Sequence, residues 1–363
     1  MFVHPNQLVE KCLIVSDIYG PSNYPIIKKD TVITATHIKV LKSFLIDLVE
    51  VDPNLVNGQP FKPNQVIKVE EKPIKKRKAT MINQSPFFEH YQSVVSEYEK
   101  LFLQWQSGSP LDINKVRQII LPLLERVDQH QGLIFLLGKY TTKDKYLYQH
   151  SVAVSLLSTI LAKRLGFERE SIQIGIAAFI ADSGMSKINQ RILNLSRKLT
   201  HAELKEIKKH TTYSYRLIEK NAALTRSAKL TVLQHHERVD GKGYPLGLPK
   251  ERIDPYAMII AIADAFHAMT SNRLYQERVS FFEAIIEMKK LASKQFDERY
   301  LKVFTTCLED ALLDRKVYLS NEQSGTIVAL RFTNIPEVII QVDNTYEIIS
   351  LLDQKDIKVK SII

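Results

Sequence analysis

The feature that most constrains the fold of this chain is a helical spacing of apolar residues that continues for more than two hundred residues after Pro86. Apolar side chains recur there three and four positions apart, the pattern of helices that bury one face. The predicted helices span 87–105, 113–127, 132–139, 146–165, 171–182, 201–220, 227–236, 255–271 and 281–291. Almost no strand pattern interrupts them, so the chain is expected to be mainly α.

The first 52 residues predict a small α/β module. Short apolar pairs at 26–27 and 32–33 indicate strands, and an amphipathic helix follows them. Its apolar residues begin at Leu41 and recur at i+3, i+4 and i+7, and Thr34 or Thr36 is the expected N-cap.

The segments on either side of the helical block have different patterns. Residues 53–85 contain four prolines and a mostly basic run at 72–78, which predicts a linker. From residue 317 the apolar pattern changes to period two, which predicts strands. The expected order is the α/β module at 1–52, the linker at 53–85, helices that pack on the bundle or form a homodimer at 86–139, the main helical bundle at 140–316 and a small β module at 317–363.

Composition excludes several classes of protein. The two cysteines, Cys12 and Cys307, lie far apart, so a disulfide framework is excluded and a cytoplasmic location is expected. The longest nearly apolar stretch, 151–162, is too short to cross a bilayer, so no membrane span is expected. Lys and Arg outnumber Asp and Glu by 50 to 40, which suits anionic partners without selecting one.

Five histidines of the helical block and two aspartates favour a metal site. Imidazole and carboxylate ligands together suit Mn, Fe, Zn, Ni or Co, and one carboxylate can bridge two ions. A single histidine on a helix is more often a satisfied polar residue at the core edge, so only the group supports the site. The group consists of His150, His210, His235, His236 and His267, with Asp182 and Asp264.

The most specific segment is HHERVDGKGYP, residues 235–245. Neighbouring side chains on a helix point about 100° apart, so both histidines reach one site only near a helix end. The glycine-rich loop that follows provides such an end, because glycine permits positive φ and a close approach of the backbone to a ligand. By composition alone, the loop is typical of an ordinary turn.

This segment resembles the signature of the HD-GYP family, a bacterial branch of the HD superfamily of metal-dependent phosphohydrolases. The resemblance extends over about 144–317: DKYLYQHSVAV resembles the first ligand helix, KKHTTYSYRLIEK the helix of the third histidine, and AIADAFHAMTSNRLY the closing Asp helix. It implies an HD-type helical bundle with divalent ions such as Mn or Fe, one or two per chain. It also implies a signalling role through hydrolysis of cyclic di-GMP to pGpG or GMP.

Carried over by position, the resemblance implies two ion sites that share Asp182. Two ions held a few ångströms apart polarise a phosphodiester and activate a water. The implied ligands are His150, Asp182 and Asp264 for the first ion, and Asp182, His210, His235 and His236 for the second. The implied substrate contacts are Arg273, which would hold a phosphate through paired N–H donors, and Lys187, Tyr244 and Asp240.

The chain departs from the family pattern at the His-Asp pair, which reads Ala181-Asp182. An alanine methyl cannot bind an ion, so the first ion keeps at most three ligands. Met185 stands where many members have a lysine, and Tyr146 stands where members with a third ion have a glutamate. His267 occupies the position of a second aspartate, and whether it ligates, hydrogen-bonds or packs is open.

Two functions compete on these residues. Six of the seven expected ligand positions are filled, which favours a cyclic di-GMP phosphodiesterase of weakened activity. Ala181 favours a catalytically inactive domain that binds a cyclic dinucleotide and signals to its flanks. Nucleic acid is not expected as the main partner, because the basic run at 72–78 has no interleaved aromatic residues and resembles a solvated spacer.

Overall fold

The computed structural model describes residues 1–67, 86–333, 336–354 and 356–362, which fall into two compact units. One unit is Ile82–Ala311, and the other comprises Met1–Met81 and Leu312–Ile363. The expected fold class, a mainly α chain with an HD-type helical bundle and a small C-terminal sheet, is confirmed. The basic run at 72–78 lies outside the described residues.

The unit formed by the two ends of the chain contains the β-structure. Its N-terminal part has strands β1 (Phe2–Val3), β2 (Ile18–Tyr19), β3 (Pro25–Ile27) and β4 (Val49–Glu50) and helix α1 (Ala35–Ser43). Its C-terminal part has strands β5 (Lys316–Leu319), β6 (Ser324–Phe332), β7 (Pro336–Val342), β8 (Ile348–Ser350) and β9 (Val359–Ile362). These five form one antiparallel sheet in the order β8-β7-β6-β5-β9.

Both ends of the chain contribute to one hydrophobic core in this unit. Val328 and Ile339 of the sheet cluster with Ile14 and Ile26 of the N-terminal part. Phe61, which belongs to the predicted linker, is 8% exposed in the same cluster. The separate modules at 1–52 and 317–363 therefore share a core, while the five expected domain ranges stay a prediction.

Helix α1 is shorter than its apolar pattern predicts. Thr34 is the N-cap, and its side chain and that of His37 form a reciprocal capping box. The helix ends at Ser43, and Leu45 follows with φ at 53° and 73% exposure. The prediction that the helix continues through Leu45 was wrong, because the chain turns there and the leucine does not join the core.

The second unit is built of helices, with α5 at its centre. Residues 150–162 of α5 are all buried, and α5 packs against α2, α6 and α11. A helix surrounded in this way shows apolar or small residues on every face. The helices are α2 (Pro86–Gln106), α3 (Ile113–Leu124), α4 (Gln131–Ile134), α5 (Tyr146–Arg164), α6 (Ser171–Ile180), α7 (Gln190–Leu193), α8 (His201–Ile207), α9 (His210–Ile218), α10 (Arg226–Gln234), α11 (Pro255–Thr270), α12 (Phe281–Lys290), α13 (Ala292–Gln295) and α14 (Glu298–Leu312).

Two helix ends differ from the sequence prediction in ways that matter for the site. The helix predicted at 201–220 is interrupted at Lys208 and Lys209, so His210 begins a new helix, α9. The helix predicted at 171–182 ends at Ile180, and Asp182 precedes a 3₁₀ turn. Both residues therefore lie at helix ends, where side chains from different helices can converge.

Candidate metal centre

Asp182 lies between two groups of ligand-type side chains. Its Oδ1 is 3.1 Å from Nε2 of His210 and 3.8 Å from Nε2 of His235. Its Oδ2 is 3.7 Å from Nε2 of His150. The two oxygens of one buried carboxylate thus face different histidines. We call His210, His235 and His236 the histidine side, and His150 with Asp264 the aspartate side.

A serine of α9 holds the backbone around Asp182. Ser214 Oγ donates a hydrogen bond to the Ala181 carbonyl at 2.6 Å and accepts one from the Gly184 N–H at 2.7 Å. The turn that follows Asp182 is therefore attached to the same helix that His210 begins. This attachment fixes the distance between the carboxylate and the histidine side.

Main-chain carbonyls orient two residues of the histidine side. His210 Nδ1 is 2.8 Å from the Ile207 carbonyl oxygen, and His235 Nδ1 is 2.9 Å from that of Val232. A carbonyl only accepts, so each Nδ1 carries a proton, and it is Nε2 that presents the lone pair when the ring binds a metal. These two Nε2 atoms are 3.4 Å apart, beside Asp182.

This arrangement fits a bound cation. In the neutral rings, two nitrogen lone pairs and a carboxylate oxygen converge, which is unfavourable unless positive charge lies among them. Asp182 Oδ1 is buried, with no geometrically acceptable hydrogen bond among the described residues. Four residues each provide one ligand atom, and these atoms all lie within 4.8 Å of one another: Asp182, His210, His235 and His236. Their donor set suits a divalent transition metal.

The aspartate side is formed by α5 and α11. His150 Nε2 is 2.9 Å from Asp264 Oδ1. The other oxygen of Asp264, Oδ2, is 3.7 Å from Nδ1 of His236, which lies just beyond α10. His150, Asp264 and the Oδ2 atom of Asp182 are the ligand-type groups that the structure brings together on this side.

Ala181 adds no ligand to the aspartate side. The residue is 4% exposed and lies at the end of α6, where its carbonyl accepts the hydrogen bond from Ser214. Its side chain is a methyl group without a donor atom. Asp182 is shared and counts for both sides. The aspartate side therefore has three candidate protein ligands, and the histidine side has four.

Burial and neighbouring charge set the protonation of the carboxylates. Burial opposes the charge of Asp182, but the adjacent imidazoles of His210 and His235 outweigh burial and hold its pKa well below its usual range. Burial also opposes the charge of Asp264, yet nearby His236 and His150 lower its pKa. Both carboxylates are therefore ionised at neutral pH, which is their metal-binding form.

The loop after His236 places Tyr244 against the site. The two rings stack with centroids 4.7 Å apart and planes inclined by 26°. The Tyr244 N–H donates to the His236 carbonyl at 3.1 Å. A Cβ atom on Gly243 would lie 2.4 Å from the main-chain nitrogen of Arg238, so this close approach of the backbone requires glycine. Tyr244 is thus a wall of the candidate site.

Arg273 lies next to Tyr146, and the ring of Tyr146 lies next to His150 of the aspartate side. The guanidinium carbon is 5.8 Å from the centre of the Tyr146 ring, and that ring lies 5.1 Å from the ring of His150. Arg273 Nε is buried without a hydrogen-bond acceptor among the described residues. An unpaired guanidinium N–H is costly to bury, and an anionic ligand would satisfy it.

Two predicted substrate contacts have other partners. Lys187 donates from Nζ to the Trp105 carbonyl. Asp240 is exposed, and its Oδ1 accepts the Lys242 N–H of its own turn at 3.0 Å. Both bonds are structural ones, and a role of either residue in substrate binding stays a prediction.

Sequence reasoning missed Glu237. Its carboxylate is buried and accepts the N–H groups of Leu246 and Leu248 at 2.7 and 3.0 Å, which holds the loop that carries Tyr244. A charged residue directly after two adjacent histidines was a usable signal. Its partners are main-chain groups nine and eleven residues away, however, and no side-chain pattern reveals such a pairing.

Comparison with known proteins identifies the helical unit. Residues 140–300 match a family model described as an HD domain. The chain is 28% identical, over 229 residues, to a cyclic di-GMP phosphodiesterase of Pseudomonas aeruginosa, which covers 63% of this chain and 55% of that protein. Residues 140–300 form an HD domain of the HD-GYP family. The HD domain contains both sides of the candidate centre, with alanine in place of the histidine of the His-Asp pair.

Two further relatives of the HD domain are named for related substrates. A cyclic di-GMP phosphodiesterase of Borreliella burgdorferi is 33% identical over 186 residues, 51% of this chain and 49% of that protein. A 3'3'-cGAMP-specific phosphodiesterase of Vibrio cholerae is 33% identical over 165 residues, 43% of this chain and 37% of that protein. The chain spans about half the length of the first two relatives. None of its described helices is long and apolar enough to cross a membrane.

Proposed function

We propose that this chain is a metal-dependent phosphodiesterase that hydrolyses a cyclic dinucleotide, with cyclic di-GMP as its substrate. The observation that carries the proposal is the position of Asp182, whose Oδ1 faces the histidine side while its Oδ2 faces His150. A carboxylate with one oxygen toward each of two ligand groups suits a bridge between two ions. The names of the relatives supply the substrate class.

Each side would hold one divalent ion. The ligands suit Mn, Fe, Zn, Ni or Co, and the family resemblance favours Mn or Fe among them. The ligands would be His150, Asp182 and Asp264 on the aspartate side, and Asp182, His210, His235 and His236 on the histidine side. When bound, such ions supply Lewis acidity and lower the pKa of a water to near neutrality.

The protein's own residues would position the substrate around this centre. The unpaired Nε–H of Arg273 would donate to a phosphate oxygen, a stronger bond than one to a neutral acceptor. Two tyrosines present aromatic surfaces on the two sides: Tyr244 is stacked on His236, and Tyr146 is tilted against the ring of His150. Hydrolysis adds water across one P–O bond, and the ribose oxygen leaves with a proton. The product is linear pGpG, or GMP after a second cleavage.

A second candidate function is binding of the dinucleotide without cleavage. The observation that favours it is Ala181, which leaves the aspartate side with three protein ligands. If the ion on that side binds weakly or is lost, the histidine side can still hold one metal and a phosphate group of the dinucleotide. The cytoplasmic location and a homodimer also stay predictions.

The test combines metal analysis with hydrolysis on one preparation. Wild type, Ala181→His and the volume control Ala181→Leu are loaded with Mn or Fe, and each is assayed with cyclic di-GMP and 3'3'-cGAMP. The proposal expects two ions per wild-type chain, and faster turnover of cyclic di-GMP than of 3'3'-cGAMP. Ala181→His is expected to raise turnover, and Ala181→Leu is not.

Two results would overturn the proposal in different ways. If wild type binds cyclic di-GMP without cleaving it and only Ala181→His cleaves, the chain is a binding module. If neither protein cleaves or binds a cyclic dinucleotide, both candidate functions fail.

A further inference from the structure

We infer that His267 is a positioning residue for the aspartate side: it fixes the ring of His150 and, when a metal occupies Nε2 of that ring, accepts the hydrogen bond from its Nδ1–H. The hydrogen bonds beyond His267 end on the main chain. This inference rests on the proposed metal site. The sequence left open whether His267 binds a metal, forms hydrogen bonds or only packs, and the structure favours the hydrogen-bonding role.

The contact between the two rings is direct and buried. Nδ1 of His267 is 3.0 Å from Nδ1 of His150, and the two side chains come from α11 and α5. The ring centroids are 5.1 Å apart and the planes are inclined by 55°. Both residues are almost fully buried, at 1% and 4% exposure, so water is a poor substitute for this contact.

The contact leaves the other nitrogen of His150 for the site. Nε2 of His150 faces Asp264 at 2.9 Å and Asp182 at 3.7 Å. For Nε2 to offer a lone pair to a metal, the proton of the neutral ring must be on Nδ1. Nδ1–H then needs an acceptor, and His267 Nδ1 is the nearest ring nitrogen.

The bonds beyond His267 allow that proton order. If His267 accepts on Nδ1, its proton is on Nε2, which lies 3.4 Å from Ser271 Oγ. Ser271 Oγ donates to Thr141 Oγ1 at 3.3 Å, and Thr141 donates to the Leu137 carbonyl at 3.4 Å. Each hydroxyl donates once and accepts once. This series of hydrogen bonds ends on the Leu137 carbonyl, which only accepts. Donation in one direction along the series therefore satisfies every group.

The position of His267 argues against a ligand role. Its Nδ1 approaches the nitrogen of His150 that does not face the carboxylates, and both of its ring nitrogens lie within 3.4 Å of Ser271 Oγ. Tyr146 OH is a second neighbour of His150 Nδ1, at 3.3 Å. Because the aspartate side has only three ligands, the orientation of His150 has a large effect on its affinity.

The experiment compares two substitutions of nearly equal size. His267→Asn keeps an acceptor oxygen close to the position of Nδ1, whereas His267→Leu has none. Each variant and wild type are titrated with Mn²⁺ by calorimetry, and His150→Ala identifies which binding step belongs to the aspartate side. The melting temperatures of the metal-free proteins are measured alongside.

We expect His267→Leu to weaken the aspartate-side ion about 10-fold to 100-fold, the usual cost of losing a partner of a metal-bound histidine. We expect His267→Asn to stay within about threefold of wild type, and the histidine-side step to be unchanged in both, since only His267→Leu removes the acceptor. The inference is overturned if His267→Leu binds as wild type does, or if His267→Asn is as weak as His267→Leu. Wild type that binds no Mn²⁺ at all would overturn the proposed function itself.

A measurement on wild type removes any dependence on a stable leucine variant. With zinc bound, imidazole ¹⁵N chemical shifts report the tautomer of each histidine, and His150→Ala assigns the signal of His150. The expected result is a proton on Nδ1 of His150 and on Nε2 of His267. A proton on Nδ1 of His267 would overturn the inference.

Discussion

The histidine side and the aspartate side differ in what holds their histidines. His210 and His235 donate from Nδ1 to carbonyls three residues earlier in the chain, within the same turn. His150 has no such carbonyl contact among the described residues, and its Nδ1 faces the side chains of His267 and Tyr146. One side is therefore oriented by local backbone, and the other depends on side chains, one of which lies 117 positions away in sequence.

This difference predicts unequal sensitivity to substitution. A backbone carbonyl cannot be removed by changing a side chain, so the histidine side keeps its proton order in most variants. The aspartate side has one candidate ligand fewer, and the orientation of His150 rests on two side chains, of which His267 is 117 positions away in sequence. We therefore expect the ion of the aspartate side to be the more weakly bound of the two.

The largest effect is expected for Asp182→Asn, because this carboxylate faces both sides. Replacing a charged oxygen with an amide should lower metal affinity on both sides by more than about a hundredfold, since loss of an outer partner alone costs up to that much. Elemental analysis after dialysis measures it. Asp310→Asn, which alters a surface ion pair with Arg164, is the control and should retain wild-type metal content.

A second pair of variants should separate the two sides. His210→Ala removes a ligand of the histidine side, and His150→Ala removes one of the aspartate side. We expect His150→Ala to leave one tightly bound Mn²⁺ and His210→Ala to leave one weakly bound ion, with dissociation constants about tenfold or more apart. Calorimetric titration measures both. Loss of both ions in either variant would contradict the independence of the two sides.

A smaller effect is expected for Ser214→Ala. The change leaves the Gly184 N–H and the Ala181 carbonyl without their shared hydroxyl, and unsatisfied buried groups of this kind cost about 1–3 kcal/mol in the free energy of unfolding. Because the turn that follows Asp182 loses its attachment to α9, the histidine-side ion should also bind less tightly. Urea unfolding and Mn²⁺ titration check the two effects. Ser96→Ala, on an exposed part of α2, should change neither.

The smallest effect on the site is expected for Thr225→Ala. Thr225 is the N-cap of α10, the helix that leads to His235, and its hydroxyl accepts the Ala228 N–H at 3.2 Å. Loss of the cap should cost about 1 kcal/mol in the free energy of unfolding. The metal affinities should stay at wild-type values, because the orientation of His235 comes from Val232 at the other end of the helix. Thr225→Ser should restore stability, and a fall in metal affinity would show that helix stability controls the site.

Sequence patterns predicted elements better than their ends. The spacing of apolar residues predicts a helix at 201–220, yet the chain breaks at Lys208 and Lys209, and no proline or glycine marks the break. Helix α14 (Glu298–Leu312) was not among the predicted helices. Helix ends depend on caps and on packing with distant elements, which periodicity does not contain.

The sequence by itself determined the fold class, the group of histidines and aspartates, and the alanine of the His-Asp pair, because residue type and short-range spacing contain that information. Only the tertiary structure decided that Asp182 lies between the two groups, that Glu237 holds the loop of Tyr244, and that His267 contacts His150. These relations join residues on different helices. Their geometry follows from how α5, α6, α9, α10 and α11 pack, and packing is a property of the whole helical unit.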